Sequence, residues 1–201
     1  MKNFYLNFHL NQEDGKTIEF LEQIEEYEES LIVKTEEGEG YYPIIDEPIA
    51  NIYVSCGGGE NRMAAIIYHF FSTSNFNYKF TVNGDFSSNT ILILLALNPK
   101  YITIMRQCMS TVHLSNYNHP VSTIVLNDPL HSSLNDLNDF KDYSESLLEL
   151  YKMFLTKEEL ATIKQGGDVI LSAKRVAELF HRLQQSKKLQ NKAKKIFEIT
   201  L

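Results

Sequence analysis

The sequence predicts an α/β fold, and three observations carry the prediction: short β-branched or alternating runs, helical apolar periods between them, and one segment too apolar for a surface helix. Strands that take turns with helices pair in parallel through right-handed crossovers. With 201 residues, 43% apolar and 11% aromatic, the chain can bury one sizeable core, so a single domain spanning 1–201 is expected.

In chain order, Tyr5 to Leu10 alternates as a strand does, and Thr17 to Tyr27 places Ile18, Leu21 and Ile24 on one helical stripe with glutamates opposite. Leu31 to Thr35 and Asn51 to Ser55 read as strands. A glycine run, Ser55-Cys56-Gly57-Gly58-Gly59, precedes a helix whose apolar residues are Met63, Ala64, Ile66, Ile67, Phe70 and Phe71. A strand from Tyr78 to Asn83 then enters a turn at Gly84 to Asn89. From Ser88 to Leu97 the chain is apolar nearly all round, so a helix there must be central and buried on every side. Tyr101 to Met105 and Ser122 to Leu126 are further strand signals, the second inside a loop-rich stretch from His113 to Phe140 that holds Pro120 and Pro129. Phe140, Tyr143, Leu147, Leu148, Leu150, Tyr151 and Phe154 mark a long amphipathic helix. Thr156 with Glu159 forms a capping box for a shorter one. After Gly166-Gly167 and Asp168 to Leu171, Ser172 caps a helix with Ala173, Val176, Ala177 and Phe180 as its apolar face.

The net charge of −7 argues against a nucleic-acid partner, which requires a concentrated basic surface. The acid is uneven: residues 1–47 hold 13 of the 26 Asp and Glu, whereas residues 181–201 hold six Lys and Arg against one Glu. These terminal lysines read as the solvated side of a helix rather than a membrane contact, because no strong apolar face accompanies them. The first residues lack the apolar stretch of a signal peptide, and Ile91 to Leu97 is too short to cross a bilayer, so a soluble, cytoplasmic chain is expected. Cys56 and Cys108 make neither a disulfide framework nor a zinc pattern and read as reduced thiols. His119 and His131, near Asp128 and Asp136, match no familiar metal spacing and read as loop surface; no metal or cofactor is expected. Tyr41-Tyr42-Pro43 has no flanking basic residues and reads as a strand end or subunit contact.

Three features suit nucleophilic acyl transfer. The glycine run lets backbone N–H groups approach a ligand closely, so it can hold an anion or simply make a tight turn. In Gly84-Asp85-Phe86-Ser87-Ser88-Asn89, a serine at a helix start gains from the N-terminal dipole; Ser87 or Ser88 is either a nucleophile or an N-cap. A serine nucleophile further requires an imidazole to take its proton and a carboxylate to orient that ring, and six histidines are available.

Read in order, these segments resemble the Clp protease proteolytic subunit family, a ClpP-like branch of the ClpP/crotonase-like superfamily. IYVSCGGGENRMAAIIYHFF resembles the family's strand, Ser-Pro-Gly-Gly and helix; Gly84-Asp-Phe-Ser-Ser-Asn resembles its Gly-x-Ala-Ala-Ser-Met turn; Met109-Ser-Thr-Val-His113 resembles its Met-Ile-His. Gly167-Asp-Val-Ile-Leu-Ser-Ala-Lys-Arg-Val-Ala resembles its Arg-Asp-x-x-x-Ser-Ala-x-x-Ala. The likeness runs from Ile52 to Phe180 and implies a spiral of repeated β-β-α units, with residues 1–50 a divergent acidic part and 116–155 a divergent handle. It implies a catalytic triad of Ser88, His113 and Asp168, with the backbone N–H groups of Gly57 and Asn89 as oxyanion hole. It also implies a serine endopeptidase acting on peptides or unfolded proteins, a homo-oligomeric ring of heptameric pattern, and an ATP-dependent unfoldase as partner.

The departures bear on function. Cys56 replaces the family's proline, Leu114-Ser115 its Gln-Pro, and Gly167 the arginine that joins its rings. Asp85-Phe86-Ser87 predicts a bulkier pocket floor with an extra acid, and residues 116–138 lack the glycine-rich strand that lines the family's groove. The N-terminus shows no axial loop for an unfoldase. Two other functions are therefore kept beside the peptidase: a non-catalytic assembly subunit, and an acyl-CoA-binding enzyme of the crotonase-like kind, which would leave His113 and Asp168 unused.

Overall fold

Six strands build the main sheet of the computed structural model, which describes residues 1–34, 40, 41, 43, 45–114 and 132–200. β1 (Lys2–Leu6), β4 (Ala50–Cys56), β5 (Tyr78–Phe86) and β6 (Ile102–Ile104) pair in parallel, with Phe4 opposite Ile52 and Phe80 opposite both Ile52 and Ile102. β5 runs past the end of β6, and at Asp85 it takes Met109 of β7 (Met109–Val112) as a parallel neighbour. β8 (Val169–Ser172) closes that end antiparallel to β7. β2 (Val33–Lys34) and β3 (Gly40–Tyr41) form a separate two-stranded ribbon.

Alternation along β4 and β5 buries Ala50, Ile52, Val54 and Cys56, and Tyr78, Phe80, Val82 and Phe86, against the helices. α1 (Lys16–Glu29) and α2 (Asn61–Thr73) cross between strands. α3 (Asn89–Ala96) is buried at all eight residues, as its all-round apolar sequence requires. A 3₁₀ turn at Pro99–Tyr101 leads into β6. α4 (Ser132–Tyr151), α5 (Lys157–Lys164), α6 (Ala173–Gln185) and α7 (Lys187–Thr200) complete the chain, and α7 packs on both α3 and α4.

Several expectations shift. β1 starts earlier than Tyr5, because Phe4 and Leu6 are the residues that face the core, and Leu10 leaves the strand for the glycine turn. In α1 the buried stripe is Thr17, Phe20, Leu21 and Ile24; Leu21 and Ile24 are as expected, whereas Ile18 lies exposed beside the stripe. In α6 the larger side chains win the core: Val176, Leu179, Phe180 and Leu183 are buried, whereas Ala177 is exposed. The chain from Ser132 to Phe140, expected as loop, is already α4, since it carries no proline and no glycine to stop a helix. α7 does have an apolar face, Leu189, Ala193, Ile196 and Phe197, and Phe197 stacks on Tyr68 at 4.5 Å. That face is spent on the core, which leaves Lys187, Lys188, Lys194 and Lys195 to solvent. Four-residue strands at β7 and β8 carry no sequence signal beyond Val, Ile and Thr.

The expected strand at Ser122 to Leu126, together with Tyr42, His119, Asp128 and His131, lies outside the described residues. Among the described residues no helix is long and apolar enough to cross a membrane, and no cluster of side chains is suited to a metal ion.

Candidate active site

The site forms where β4, β5 and β7 end together. β4 stops at Cys56, and α2 begins after four intervening residues; among them Gly58 and Gly59 take φ of +95° and +143°, which side chains rarely adopt. Gly58 lies against the next turn: a Cβ on it would stand 2.7 Å from the Ser87 carbonyl oxygen and from Ser88 Cβ, and 3.2 Å from Asn89 N. A Cβ on Gly59 would overlap the Leu10 backbone. Leu10 fastens the turn from outside, donating its N–H to Gly58 O at 2.8 Å and accepting from Glu60 N at 2.8 Å. Gly57 alone is open, with nothing within 4 Å of where its Cβ would be.

β5 alternation continues through Phe86, which is fully buried opposite Cys56. Phe86 therefore enters the core and Asp85 points to solvent, contrary to the expectation that both would reshape the pocket floor. Ser88 then turns with φ 52° and ψ −125°, the one positive φ outside glycine among the described residues. Holding a non-glycine residue there costs on the order of 1–3 kcal/mol, so neighbours must enforce it. They do: Ser88 N–H donates to Thr111 O at 2.8 Å, Ser87 N–H donates to Cys56 O at 3.1 Å, and Thr111 N–H donates to Ser87 Oγ at 2.8 Å. The two serines thus divide the work. Ser87 ties the turn to β7, while the Ser88 hydroxyl makes no capping bond to α3.

The Ser88 hydroxyl instead meets His113 Nε2 at 2.8 Å, and His113 Nδ1 meets Asp168 Oδ1 at 3.0 Å. With an ionised Asp168, the consistent tautomer places the proton on Nδ1, so Nε2 accepts from Ser88. The antiparallel register of β7 and β8 creates this meeting, because Val112 lies opposite Val169, and the next residue outward on each strand is His113 or Asp168. Asp168 is further set by the end of α5: Gly166 takes φ +81°, and Gly167 N–H donates to Thr162 O at 2.9 Å. Any side chain at 167 would meet the Thr162 methyl at 2.8 Å, so this turn has no room for the family's arginine unless Thr162 shifts. His113 and Asp168 are both accessible, with side chains 39% and 64% exposed.

Behind the site stand residues that sequence reasoning missed as polar partners. Tyr151, buried on α4, donates its hydroxyl to the His113 carbonyl at 3.0 Å; burial pushes its pKa up. Asn89 donates through Nδ2 to Gly59 O and to Asn61 Oδ1, and Tyr143 of α4 donates to Asn89 Oδ1 at 3.1 Å. Both tyrosines fit the apolar stripe of α4, and that fit hid their hydroxyls. Cys56 and Cys108 are free and buried, and burial raises both thiol pKa values, as suits unreactive core residues.

No protein-family model and no curated protein matches the sequence. Among solved structures, a ClpP1 mutant from Listeria monocytogenes is similar, with a TM-score of 0.55 at 14% identity over 88% of this chain and 86% of that one. The fold is ClpP-like. At this identity the likeness speaks for the fold alone.

Proposed function

We propose that this ClpP-like chain is a serine-type peptidase whose catalytic residues are Ser88, His113 and Asp168. One observation carries the reading: a hydroxyl in a strained turn, unused as a helix cap, hydrogen-bonded to an imidazole that is hydrogen-bonded to a carboxylate. Ser88 attacks the peptide carbonyl as His113 takes its proton, and His113 returns that proton to the leaving amine; water then hydrolyses the acyl-enzyme by the same route. Asp168 holds the ring and balances the imidazolium. The backbone N–H groups of Gly57 and of Asn89, in the first turn of α3, receive the oxyanion, each worth about 3 kcal/mol in the transition state. The substrate class is a peptide or unfolded protein, and the ClpP-like fold favours a ring-forming homo-oligomer; a heptamer and an ATP-dependent unfoldase belong to the same reading. An acyl-CoA enzyme would leave the Ser88–His113–Asp168 line without a task.

The test is labelling with a fluorophosphonate probe. Adduct at Ser88, abolished by Ser88→Ala and accompanied by peptide hydrolysis, is the expected result. A folded, assembled chain that neither labels nor hydrolyses would instead be a scaffold.

A further inference from the structure

The hydrogen bonds between β7 and the nucleophile turn stop at Thr111, two residues short of the imidazole. Beyond Val112, His113 has left the β7–β8 ladder, and its carbonyl takes a partner from a different element: the Tyr151 hydroxyl. The same helix reaches the other half of the site. Tyr143, two turns earlier, donates to Asn89 Oδ1 at 3.1 Å and lies 3.3 Å from Asn61 Oδ1; Asn89 in turn grips the Gly59 carbonyl. Both residues are at most 5% exposed, so a hydroxyl that lost its partner would recover little from water. One helix thereby holds the backbone of the proposed base and the turn of the proposed nucleophile and oxyanion hole.

We propose that α4 is a strut that fixes the Ser88–His113 separation, with Tyr143, Asn61 and Tyr151 as positioning residues. Resting on the peptidase reading, it makes the reactivity of Ser88 depend on the placement of α4. Removing the Tyr151 hydroxyl frees the His113 backbone while leaving the imidazole, Ser88 and Asp168 intact. Removing the Tyr143 hydroxyl loosens the Asn89–Asn61 clamp without touching a reacting atom. Displacements well under an ångström suffice, since a misplacement of about 1 Å can cost roughly a hundredfold in rate.

The experiment uses the full chain with Tyr143→Phe, Tyr151→Phe and Asn61→Ser, and with Tyr78→Phe as control, a buried hydroxyl that donates to Glu28 at the opposite end of β5. Fluorophosphonate labelling rates across pH, thermal midpoints and the His113 imidazole resonances are recorded for each. Expected are labelling roughly tenfold slower or more in Tyr143→Phe and Tyr151→Phe, a moved pH midpoint in Tyr151→Phe, and wild-type labelling in Tyr78→Phe. Labelling at the wild-type rate in both α4 variants, or equal slowing in Tyr78→Phe, overturns the strut. Should Tyr151→Phe not fold, Tyr143→Phe and Asn61→Ser carry the test. If the wild-type chain itself does not label, the peptidase reading fails separately. The imidazole resonances then decide the strut, which requires them to shift in the α4 variants and not in Tyr78→Phe.

Discussion

Gly58→Ala isolates the contact between the two turns that build the site. Two costs add. At φ +95° an alanine is strained by on the order of 1–3 kcal/mol. Its methyl would also meet the Ser87 carbonyl and Ser88 Cβ at 2.7 Å, and neither is the far end of a flexible side chain, so the turns must separate at an overpacking cost of about 1–3 kcal/mol. Taking the middle of each range gives a loss of about 4 kcal/mol, which for a chain of this size lowers the thermal midpoint by roughly 8–16 °C. Gly57→Ala is the counterpart, since its methyl meets nothing within 4 Å and φ there is not in the left-handed region. Its stability should stay within about 1 kcal/mol of the wild type, or rise slightly through the unfolded state. Differential scanning calorimetry reads both. In Gly58→Ala the Ser88 label should also fall, because the methyl pushes against the residue that carries the hydroxyl. Midpoints within a degree or two of each other would refute the argument, for they would mean that the turns do not bear on one another.

Asp168→Asn should slow fluorophosphonate labelling by about a thousandfold to ten-thousandfold, because the amide favours the wrong imidazole tautomer. With its side chain 64% exposed, the melting temperature should scarcely move, and wild-type labelling in this variant would remove Asp168 from the mechanism. Acid stability should report on Glu159, whose carboxyl the Arg175 guanidinium holds below its ordinary range. A depressed carboxylate contributes stability above the unfolded pKa of about 4.3, lost as pH falls through the folded value. Glu159→Gln should therefore cost about 0.5–1 kcal/mol at neutral pH, given partial exposure, and flatten the fall in melting temperature between neutral pH and about pH 3. An unchanged profile would show that the pair contributes nothing.

What the sequence made legible was local. The Thr156–Glu159 box, the Ser172 cap and the all-apolar α3 depend on residues within a turn or two of each other, and each appears where expected. Ser88, His113 and Asp168, named from motif order, end within hydrogen-bond reach of one another. Residue types alone left Ser87 and Ser88 each as nucleophile or N-cap, because both sit at the same helix start; motif order named Ser88, and tertiary bonds part the two hydroxyls, Ser87 accepting from Thr111 and Ser88 meeting His113. β7 and β8 were hidden for a related reason: four residues of Met-Ser-Thr-Val or Val-Ile-Leu-Ser become strands only by pairing across more than fifty residues of chain. In α1 the expected stripe held at Leu21 and Ile24 and failed at Ile18, since Ile18 and Phe20 are both apolar and it is Phe20 that packs on Phe8 and Phe71.

Leu10 gives the amino-terminal segment an importance that its acidic composition conceals. Its amide and carbonyl complete the bonding of Gly58 and Glu60, so the first ten residues act as a finger pressed on the back of the glycine turn. A truncation past this point, or a tag that drags on it, would be expected to blunt chemistry at Ser88 while leaving the distant core intact; boundaries for expression should be drawn with that lever in mind.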